Sequence, residues 1–230
     1  MVTADVSRGD STDYSTFHVM DIESCVQVAE YKGKLSPKEF GNVLVGIASE
    51  YNDALLVVEN ANIGWSTIEQ ILEREYKNMY YSSTSNQDTV ESYMSKYERE
   101  KLVPGFTMSM KTRPLVVAKM CEYIREKAVT IQSKRLLHEM RVFVWKNGKA
   151  QAQVNYNDDL VMAFATSLYV RDTALRLRQQ GLDLARAQLS SFGNLNAKNQ
   201  AVISTVGSHR NNPYLIDMGG QQKEDISWLF

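Results

Sequence analysis

The stretch "LLVVENANIGW", residues 55–65, decides the fold, because its apolar run ends abruptly in a carboxylate. Residues 55–58 are all apolar, which is typical of a strand that is covered on both faces. Glu59 follows at once, and the polar loop Asn60-Ala61-Asn62 comes after it. A carboxylate costs free energy to desolvate. Glu59 therefore marks either the point where a strand reaches the surface or the carboxyl edge of an open α/β sheet, where such folds place their chemistry.

The segments before this strand predict three further strands and a helix. "VTADVS" (2–7) predicts a strand that ends near Asp5, while "TFHVMDI" (16–22) and "CVQVAEYKG" (25–33) predict two antiparallel strands. "SPKEFGNVLVGIASEYN" (36–52) predicts an amphipathic helix. Its start is marked by a capping box of Ser36 and Glu39, with Pro37 at the first helical position.

The segments after Glu59 predict helices and one hairpin. A helix is expected around 64–76, followed by a long polar excursion over 81–105. "TRPLVVAKMCEYIREKA" (112–128) predicts another helix, with a proline near its first turn. The Asn147-Gly148 pair predicts a hairpin. A long helix over 156–180 follows, with the apolar stripe Leu160, Val161, Phe164, Leu168 and Leu175.

This element order, three strands, a helix, a strand, a helix and then further helices, is that of a ribonuclease H-like fold. We therefore predict an α/β domain over residues 1–180: a ribonuclease H-like mixed sheet flanked by helices, with an additional β-hairpin. Residues 181–230 are rich in Asn, Gln, Ser and Gly, and we expect a C-terminal extension that is a weakly ordered tail. Fold order alone does not establish an activity.

Composition excludes several classes of protein. The 230 residues are 43% hydrophobic and 23% charged, which suits one globular domain with an appendage. No apolar run approaches the ~20 residues that cross a bilayer, and acidic residues and Arg8 interrupt any secretory signal. Cys25 and Cys121 are far apart, so neither a disulfide framework nor a zinc site is indicated. A reducing cytoplasm is the expected compartment.

Charge is distributed unevenly although the net charge is only −1. Residues 1–110 hold 9 Lys and Arg against 17 Asp and Glu, a balance of −8, while residues 111–180 hold 13 against 6, a balance of +7. An acidic half beside a basic half fits a site that gathers cations and grips an anionic polymer. The alternative is that solvent-exposed helix faces differ in charge by chance and that the asymmetry has no function.

Acidic residues stand at the ends of three predicted elements. Asp5 ends the first strand, Glu59 ends the fourth, and Asp158-Asp159 opens the last long helix. If strands one and four are parallel neighbours, these carboxylates converge and repel one another unless divalent cations neutralise them. Two such ions stabilise the attacking and leaving oxygens of a phosphoryl displacement. Helix capping, turn formation and a solvated strand end remain the alternative roles.

The sequence also resembles a known family over roughly residues 1–180. "ADVSRGDSTDYSTFHVMDI", "LLVVENANIGW", "LVPGFTMSMKTRPLVVAKM" and "YNDDLVMAF" together resemble the nuclease domain of terminase large subunits from tailed bacteriophages, notably the T-even type. The resemblance implies a metal-dependent endonuclease that cuts concatemeric double-stranded viral DNA during genome packaging. It implies two Mg²⁺ or Mn²⁺ ions, with Asp5 bridging both ions and with Glu59 and Asp158 or Asp159 each holding one.

The resemblance further implies partners and a place of action. They are double-stranded DNA, the ATPase motor domain of the same protein, the portal protein and the small terminase subunit, in the host cytoplasm at the procapsid and with no membrane involved. No Walker A motif is present: "GNVLVG" (41–46) lacks the following Lys-Ser/Thr. We therefore expect a nuclease domain separated from a longer protein, without ATPase activity. Some family members carry an acid three residues after the first Asp, where this chain has Arg8.

Five basic residues are candidates for phosphate contacts, which weaken with salt and carry little sequence information. They are Arg8, Lys111, Arg113, Lys146 and Lys149. The hairpin either lies over or gates the DNA groove, as similar hairpins do in this family, or is an ordinary edge hairpin. His18 and His138 are interpreted as structural residues. A junction resolvase, an integrase-like enzyme, or a noncatalytic DNA-binding or capsid-docking module are the competing functions.

Overall fold

The computed structural model describes residues 1–83 except 11 and 62, residues 102–176 except 147, the helical positions 179, 182, 183 and 186, and two short strands near the C-terminus. Contacts divide the chain into two units, Met1–Arg178 and Gln179–Phe230. In the second unit, Leu215–Asp217 pairs antiparallel with Lys223–Asp225. Most of the predicted tail lies outside the described residues, so its weak order and the boundary at 180 stay predictions.

Four strands form the central sheet. They are β1 (Val2–Asp5), β2 (Ser15–Asp21), β3 (Val26–Gly33) and β4 (Leu56–Val58), in the order β3-β2-β1-β4. β1 pairs antiparallel with β2 and parallel with β4, and β2 pairs antiparallel with β3. The sheet is therefore mixed, and the first and fourth strands are parallel neighbours, which is the condition on which the convergence of Asp5 and Glu59 depended. A β-bulge interrupts the β2–β3 ladder after Val19.

Five helices surround this sheet in the described part of the chain. They are α1 (Pro37–Glu50), α2 (Gly64–Glu73), α3 (Thr112–Arg125), α4 (Lys134–Val142) and α5, which begins at 159 and is described through 176. The predicted capping box of α1 is confirmed, since the Ser36 hydroxyl accepts from the Glu39 amide and the Glu39 carboxylate accepts from the Ser36 amide. None of the described helices combines the length and apolar character required to cross a membrane.

Two hairpin-like pairs complete the main unit. β5 (Tyr81–Ser83) pairs with β6 (Leu102–Pro104), and β7 (Phe143–Lys146) pairs with β8 (Lys149–Ala152). The second pair confirms the predicted hairpin, although Asn147 lies outside the described residues. The first pair corrects the interpretation of 81–105 as a purely polar excursion, because both of its ends are strands. Residues 84–101 lie between them, outside the described residues.

Alternating side chains build one core on each face of the sheet. Val2, Ala4, Leu56 and Val58 pack on α1 and α2 with Phe40 and Ile68 in one core. Met20 and Val57 pack on the opposite face against Leu136 of α4 and the stripe of α5, with the members Leu160, Val161, Phe164 and Leu168. The result is a three-layer arrangement, and the predicted ribonuclease H-like α/β fold is confirmed. Because Val2 and Ala4 face α1, the side chains of Thr3 and Asp5 face α5.

His18 of β2 joins the sheet to α5 through a fully buried hydrogen-bond network. Its Nε2–H donates to the Leu160 carbonyl at 3.0 Å, and its Nδ1 accepts from the Gln27 amide group at 2.7 Å. The Gln27 carbonyl oxygen in turn accepts from the backbone amides of Gln132 and Ser133. Both ring nitrogens are thus satisfied by a neutral imidazole. Burial lowers the pKa of His18 to about 4.

We expect this network to make the fold acid-sensitive. The unfolded chain binds a proton at His18 near pH 6.5 but the folded chain only near pH 4, so the free energy of unfolding falls between these values by roughly 3 kcal/mol. Urea unfolding of wild type and His18→Gln across this range measures the contribution. The exposed His138→Gln variant is the control and should keep the wild-type slope. Equal slopes for all three proteins would contradict the assignment to His18.

Candidate active site

Asp5 and Glu59 lie side by side at one edge of the sheet. The parallel register pairs Ala4 with Val58, so Asp5 and Glu59 are the next residue of each strand, and the Glu59 amide donates to the Ala4 carbonyl at 3.2 Å. Both side chains line a cavity of about 160 Å³, together with Val6, Ala61 and Ile63. The structure therefore places two of the predicted carboxylates around one open space.

Two glycines hold the backbone of Glu59 in place. A Cβ atom on Gly64, at the start of α2, would lie 1.8 Å from the Glu59 carbonyl oxygen. Gly105 has a φ of +86°, and a Cβ there would lie 2.6 Å from the carbonyl oxygen of Val58. Only glycine fits such close backbone approaches. The short loop after β4 and the segment after β6 therefore fix the strand end that presents Glu59.

Asp158 and Asp159 stand at the start of α5, and they have different partners. The Asp158 carboxylate accepts from the Arg113 guanidinium at 2.6 Å. Arg113 also donates through its Nε to the Ala150 carbonyl of β8 at 3.2 Å. The Asp159 carboxylate accepts from the Tyr14 amide at 3.0 Å and from the Asn157 side chain at 3.3 Å. Asp158 is thus bound to α3 and the hairpin, and Asp159 to the loop before β2.

Burial and neighbouring charges raise the pKa values of three of these four acids. The pKa of Asp5 is raised well above its usual value, first by burial and then by the charges of Glu59, Asp159 and Asp158. Burial also raises the pKa of Glu59, with the Arg113 charge opposing the shift and the Asp158 charge adding to it. Burial raises the pKa of Asp159 to about 6 against its hydrogen bonds. Like-charge repulsion of this kind is what a bound cation relieves.

The first turn of α5 is held by side chains from other elements. The Glu139 carboxylate of α4 accepts from the Leu160 and Val161 amides at 2.9 and 3.3 Å, and its other oxygen pairs with Lys32 of β3. The Thr16 hydroxyl donates to the Asp159 carbonyl at 3.1 Å. Free N–H groups at a helix start need acceptors, so Glu139 caps α5 from a distance and fixes where its acids stand.

A divalent cation fits the donors of this site. Carboxylate oxygens are the ligands that Mg²⁺ prefers, and one or two of them suffice when water and phosphate complete its shell. Asp5 and Glu59 provide two around the cavity. Among the residues that the structure describes, no three His, Cys, Asp or Glu side chains are grouped closely enough to hold a metal. Asp5 and Glu59 are thus the two carboxylates in place around the cavity, while Asp158 and Asp159 are held by other partners.

Known structures with a similar fold are nucleases. The large terminase nuclease from thermophilic phage G20c, solved with bound magnesium, matches at a TM-score of 0.55 and 16% identity over 73% of this chain and 79% of that chain. The form with bound cobalt matches equally. The large terminase nuclease domain of Thermus phage P74-26 matches at 0.51 and 18%, over 71% of this chain and 75% of that one. At this low sequence identity, the structural similarity shows that this chain shares the fold of these domains.

These matches agree with the resemblance to terminase nuclease domains, but not with the more specific resemblance to the T-even type. The similar structures come from thermophilic phages, and they do not support the T-even type. No protein-family profile matches the sequence. No curated protein matches it either.

The structure brings some of the predicted basic residues together. Arg113 and Lys149 line one cavity between α3 and the hairpin, and Lys146 is the cross-strand partner of Lys149. Lys111 is exposed immediately before α3. Arg8 lies apart from them in sequence, on the loop after β1, where it pairs with Asp10 at 3.3 Å. Arg113 and Arg8 thus both pair with an aspartate, but the Arg113–Asp158 pair is largely buried and the Arg8–Asp10 pair is mostly exposed.

Sequence reasoning missed Glu139, Lys32 and Trp145. Glu139 and Lys32 are 107 residues apart, and neither stands in a motif that predicts their contact. Trp145 could have been found, since a tryptophan next to a lysine at a predicted hairpin turn is an unusual surface residue. Its exposure is confirmed by the structure.

Proposed function

We propose that this chain is a metal-dependent DNA endonuclease domain of a viral packaging terminase, which cuts concatemeric double-stranded DNA. The observation that carries the proposal is the convergence of Asp5 and Glu59 on one cavity, with Asp158 and Asp159 in electrostatic contact with them. The fold shared with terminase nucleases supports the same conclusion. The T-even type stays a prediction of the sequence resemblance.

Each acid has a proposed role as a ligand for two Mg²⁺ or Mn²⁺ ions. Asp5 is the shared ligand, because its pKa responds to the charges of all three other acids. Glu59 is the second ligand. Asp158 is favoured over Asp159 as the third, since its charge raises the pKa of both Asp5 and Glu59, whereas the charge of Asp159 raises the pKa of Asp5 but not that of Glu59. Bound divalent ions lower the pKa of water and stabilise charge on the scissile phosphate.

Arg113 is proposed to tune the third ligand. Its ion pair neutralises Asp158 beside Glu59, and its bond to Ala150 ties this pair to the hairpin. Both partners are about one quarter exposed, so the pair is accessible to solvent and to a phosphate. If Arg113 contacted a phosphate of the substrate instead, the Asp158 carboxylate would be available to hold a cation.

The remaining roles follow from the family resemblance and are proposals. The substrate is double-stranded DNA, and the partners are the ATPase motor domain of the same protein, the portal protein and the small terminase subunit. The place of action is the host cytoplasm, at the procapsid. ATP hydrolysis is not expected of this chain, since no phosphate-binding Gly-x-x-x-x-Gly-Lys-Ser/Thr string occurs in it.

Nicking of supercoiled plasmid under titration with Mg²⁺ or Mn²⁺ tests the proposal. We expect no cleavage with a chelator present and conversion to open-circular and linear DNA as the metal is added. A strong preference for branched DNA over linear duplex would instead favour a junction resolvase. Absence of cleavage and of metal binding at millimolar Mg²⁺ would refute the enzyme assignment.

Charge reversal at the hairpin tip should weaken nonspecific DNA binding. Replacing Lys146 and Lys149 by Glu removes two candidate phosphate contacts, and each contact contributes about 0.9 to the slope of log affinity against log salt. We expect the slope to fall by about 2, measured by fluorescence anisotropy with duplex DNA and a chelator. Lys127 and Lys134, at the far end of α3 and the start of α4, give the control pair. An unchanged slope in the hairpin variant would remove these lysines from the DNA surface.

A further inference from the structure

A second cavity, of about 380 Å³, lies between the start of α3 and the hairpin β7–β8. Its wall combines apolar and basic side chains, among them Met108, Met110, Arg113, Pro114, Trp145 and Lys149. A volume of this size falls within the roughly 300–1,000 Å³ of pockets that bind small organic groups. The cavity is distinct from the smaller one between Asp5 and Glu59.

The apolar residues of this cavity are unusually exposed. Met110 is 94% exposed and Trp145 is 58% exposed. Trp145 stands on a two-stranded hairpin, opposite Ala150 in the ladder, so its ring forms part of the wall instead of filling a core. Large aromatic and thioether side chains kept at a surface are typical of contact sites for flat or adaptable apolar groups.

The charges around the cavity select an anionic ligand. Both charged residues of its wall, Arg113 and Lys149, are basic, and no acidic side chain lines it among the described residues. Arg113 shares its charge with Asp158, which lies outside the wall, so Lys149 is the main cation of the wall itself. Lys111 and Lys146 stand next to wall residues in the sequence and are exposed. A flat apolar group on an anionic chain matches an aromatic ring surrounded by cations, and a nucleobase on its phosphodiester strand is such a group.

Arg113 connects this cavity to the acids. Its guanidinium donates to Asp158 and its Nε donates to the carbonyl of Ala150, which is itself a wall residue. One arginine side chain therefore separates the cavity from the acid cluster. A strand whose phosphate reaches the acids can place a nearby base against Trp145.

We propose that this cavity binds an unpaired nucleobase of the DNA strand, stacked on Trp145 with Lys149 and Arg113 next to its phosphates. The proposal rests on the proposed function for its substrate, and it adds that the enzyme grips a base that has left the duplex. Frayed ends and single-stranded segments are then preferred over fully paired DNA. Stacking tolerates any base, so no sequence preference is expected.

Binding of a single-stranded oligonucleotide of about 12 nucleotides, with a chelator to prevent cleavage, tests the proposal. A matched strand with abasic sites in its central half keeps the phosphates and removes the bases. We expect wild type to bind the intact strand about tenfold more tightly than the abasic one, the effect of stacking one base. Trp145→Ala should remove this difference, while Trp145→Phe should keep most of it.

Two further readouts separate stacking from charge. The salt dependence of binding should be unchanged in Trp145→Ala, because no phosphate contact is lost. Quenching of tryptophan fluorescence by the intact strand should be much weaker in Trp145→Phe than in wild type. If wild type binds both strands equally, or Trp145→Ala weakens both equally, the base-binding site is refuted and the exposed ring serves another contact such as protein docking.

The nicking assay keeps this proposal separate from the proposed function. A wild-type protein that distinguishes the two strands but never nicks plasmid supports the base site and refutes the nuclease. A protein that nicks plasmid in Mg²⁺ without distinguishing the two strands supports the nuclease and refutes the base site. Since Trp145 is mostly exposed, both variants should unfold at nearly the wild-type temperature.

Discussion

Replacing Asp5 with Asn should abolish metal-dependent nicking and, in the absence of metal, raise the stability of the domain. Loss of one preorganised electrostatic contact to a transition state costs up to about 10³-fold in rate, and Asp5 is the proposed shared ligand of both ions. We expect a loss on this order in plasmid nicking at saturating Mg²⁺. The fold should be intact, since Asn has nearly the same volume as Asp.

The stability gain follows from the raised pKa of Asp5. Burial and the charges of Glu59, Asp159 and Asp158 all oppose its ionised form in the folded state, so at neutral pH the charge destabilises the fold. The folded domain binds the proton more tightly than the unfolded chain does, and stability contributed by protonation is present at low pH and lost as the pH rises. Asn removes the charge and should raise the melting temperature at pH 7.

Bound Mg²⁺ should reverse the order of the two melting temperatures, so that wild type becomes more stable than Asp5→Asn. Ligand at 100 times its dissociation constant stabilises a folded protein by about 2.7 kcal/mol, and only a protein with Asp5 should gain it. Thermal melting with and without Mg²⁺ measures both effects. Asp10 is exposed on the loop that follows β1, so Asp10→Asn is the matched control and should behave as wild type. The proposed site would be contradicted if Asp5→Asn melted below wild type in the absence of metal. It would also be contradicted if this variant still nicked plasmid DNA.

Sequence patterns predicted the parts of this fold that depend on local physics. The capping box of Ser36 and Glu39 and the Asn147-Gly148 hairpin each involve residues within a few positions of one another. The position of Glu59 was predictable for the same reason, because an apolar run that ends in a carboxylate is a local feature. The convergence with Asp5 additionally required the parallel pairing of β1 and β4, which could be stated from the sequence only as a condition.

The arrangement around the acids depends on contacts between distant segments and could not be predicted in that way. Asp158 and Asp159 are neighbours in sequence, yet one pairs with Arg113 and the other with the Tyr14 amide, 45 and 145 residues away. Arg113 was predicted as a phosphate contact, and nothing in "KTRPL" distinguishes that role from an ion pair with Asp158. Side-chain partners of this kind are set by tertiary packing, not by periodicity.

The geometry of the proposed site therefore depends on a residue that carries no catalytic signature. The acids of α5 stand opposite Asp5 only if the helix starts at the right place, and Glu139 fixes that start by accepting from the Leu160 and Val161 amides. Lys32 neutralises its other oxygen, and both side chains are largely buried. One strand and two helices, β3, α4 and α5, thus meet at this one carboxylate.

Replacing Glu139 with Ala should accordingly cost both stability and activity. Breaking a buried ion pair by removal of one partner costs about 3–5 kcal/mol, which lowers the melting temperature of a domain of this size by about 6–20 °C. Nicking should fall by about 10- to 100-fold, as when the outer partners of metal ligands are removed. Circular-dichroism melting and plasmid nicking, at a temperature where every variant is folded, measure the two effects.

Matched variants separate capping from charge. Glu139→Gln keeps an oxygen for the α5 amides and should retain more activity than Glu139→Ala, although it leaves Lys32 without its charge partner. Glu122→Ala breaks the exposed pair with Lys119 and should cost only about 0.3–0.5 kcal/mol, with full nicking. Equal losses for Glu122→Ala and Glu139→Ala would show that the start of α5 is positioned by other contacts. A large loss of stability with nicking intact would show that Glu139 supports the fold without orienting the acids.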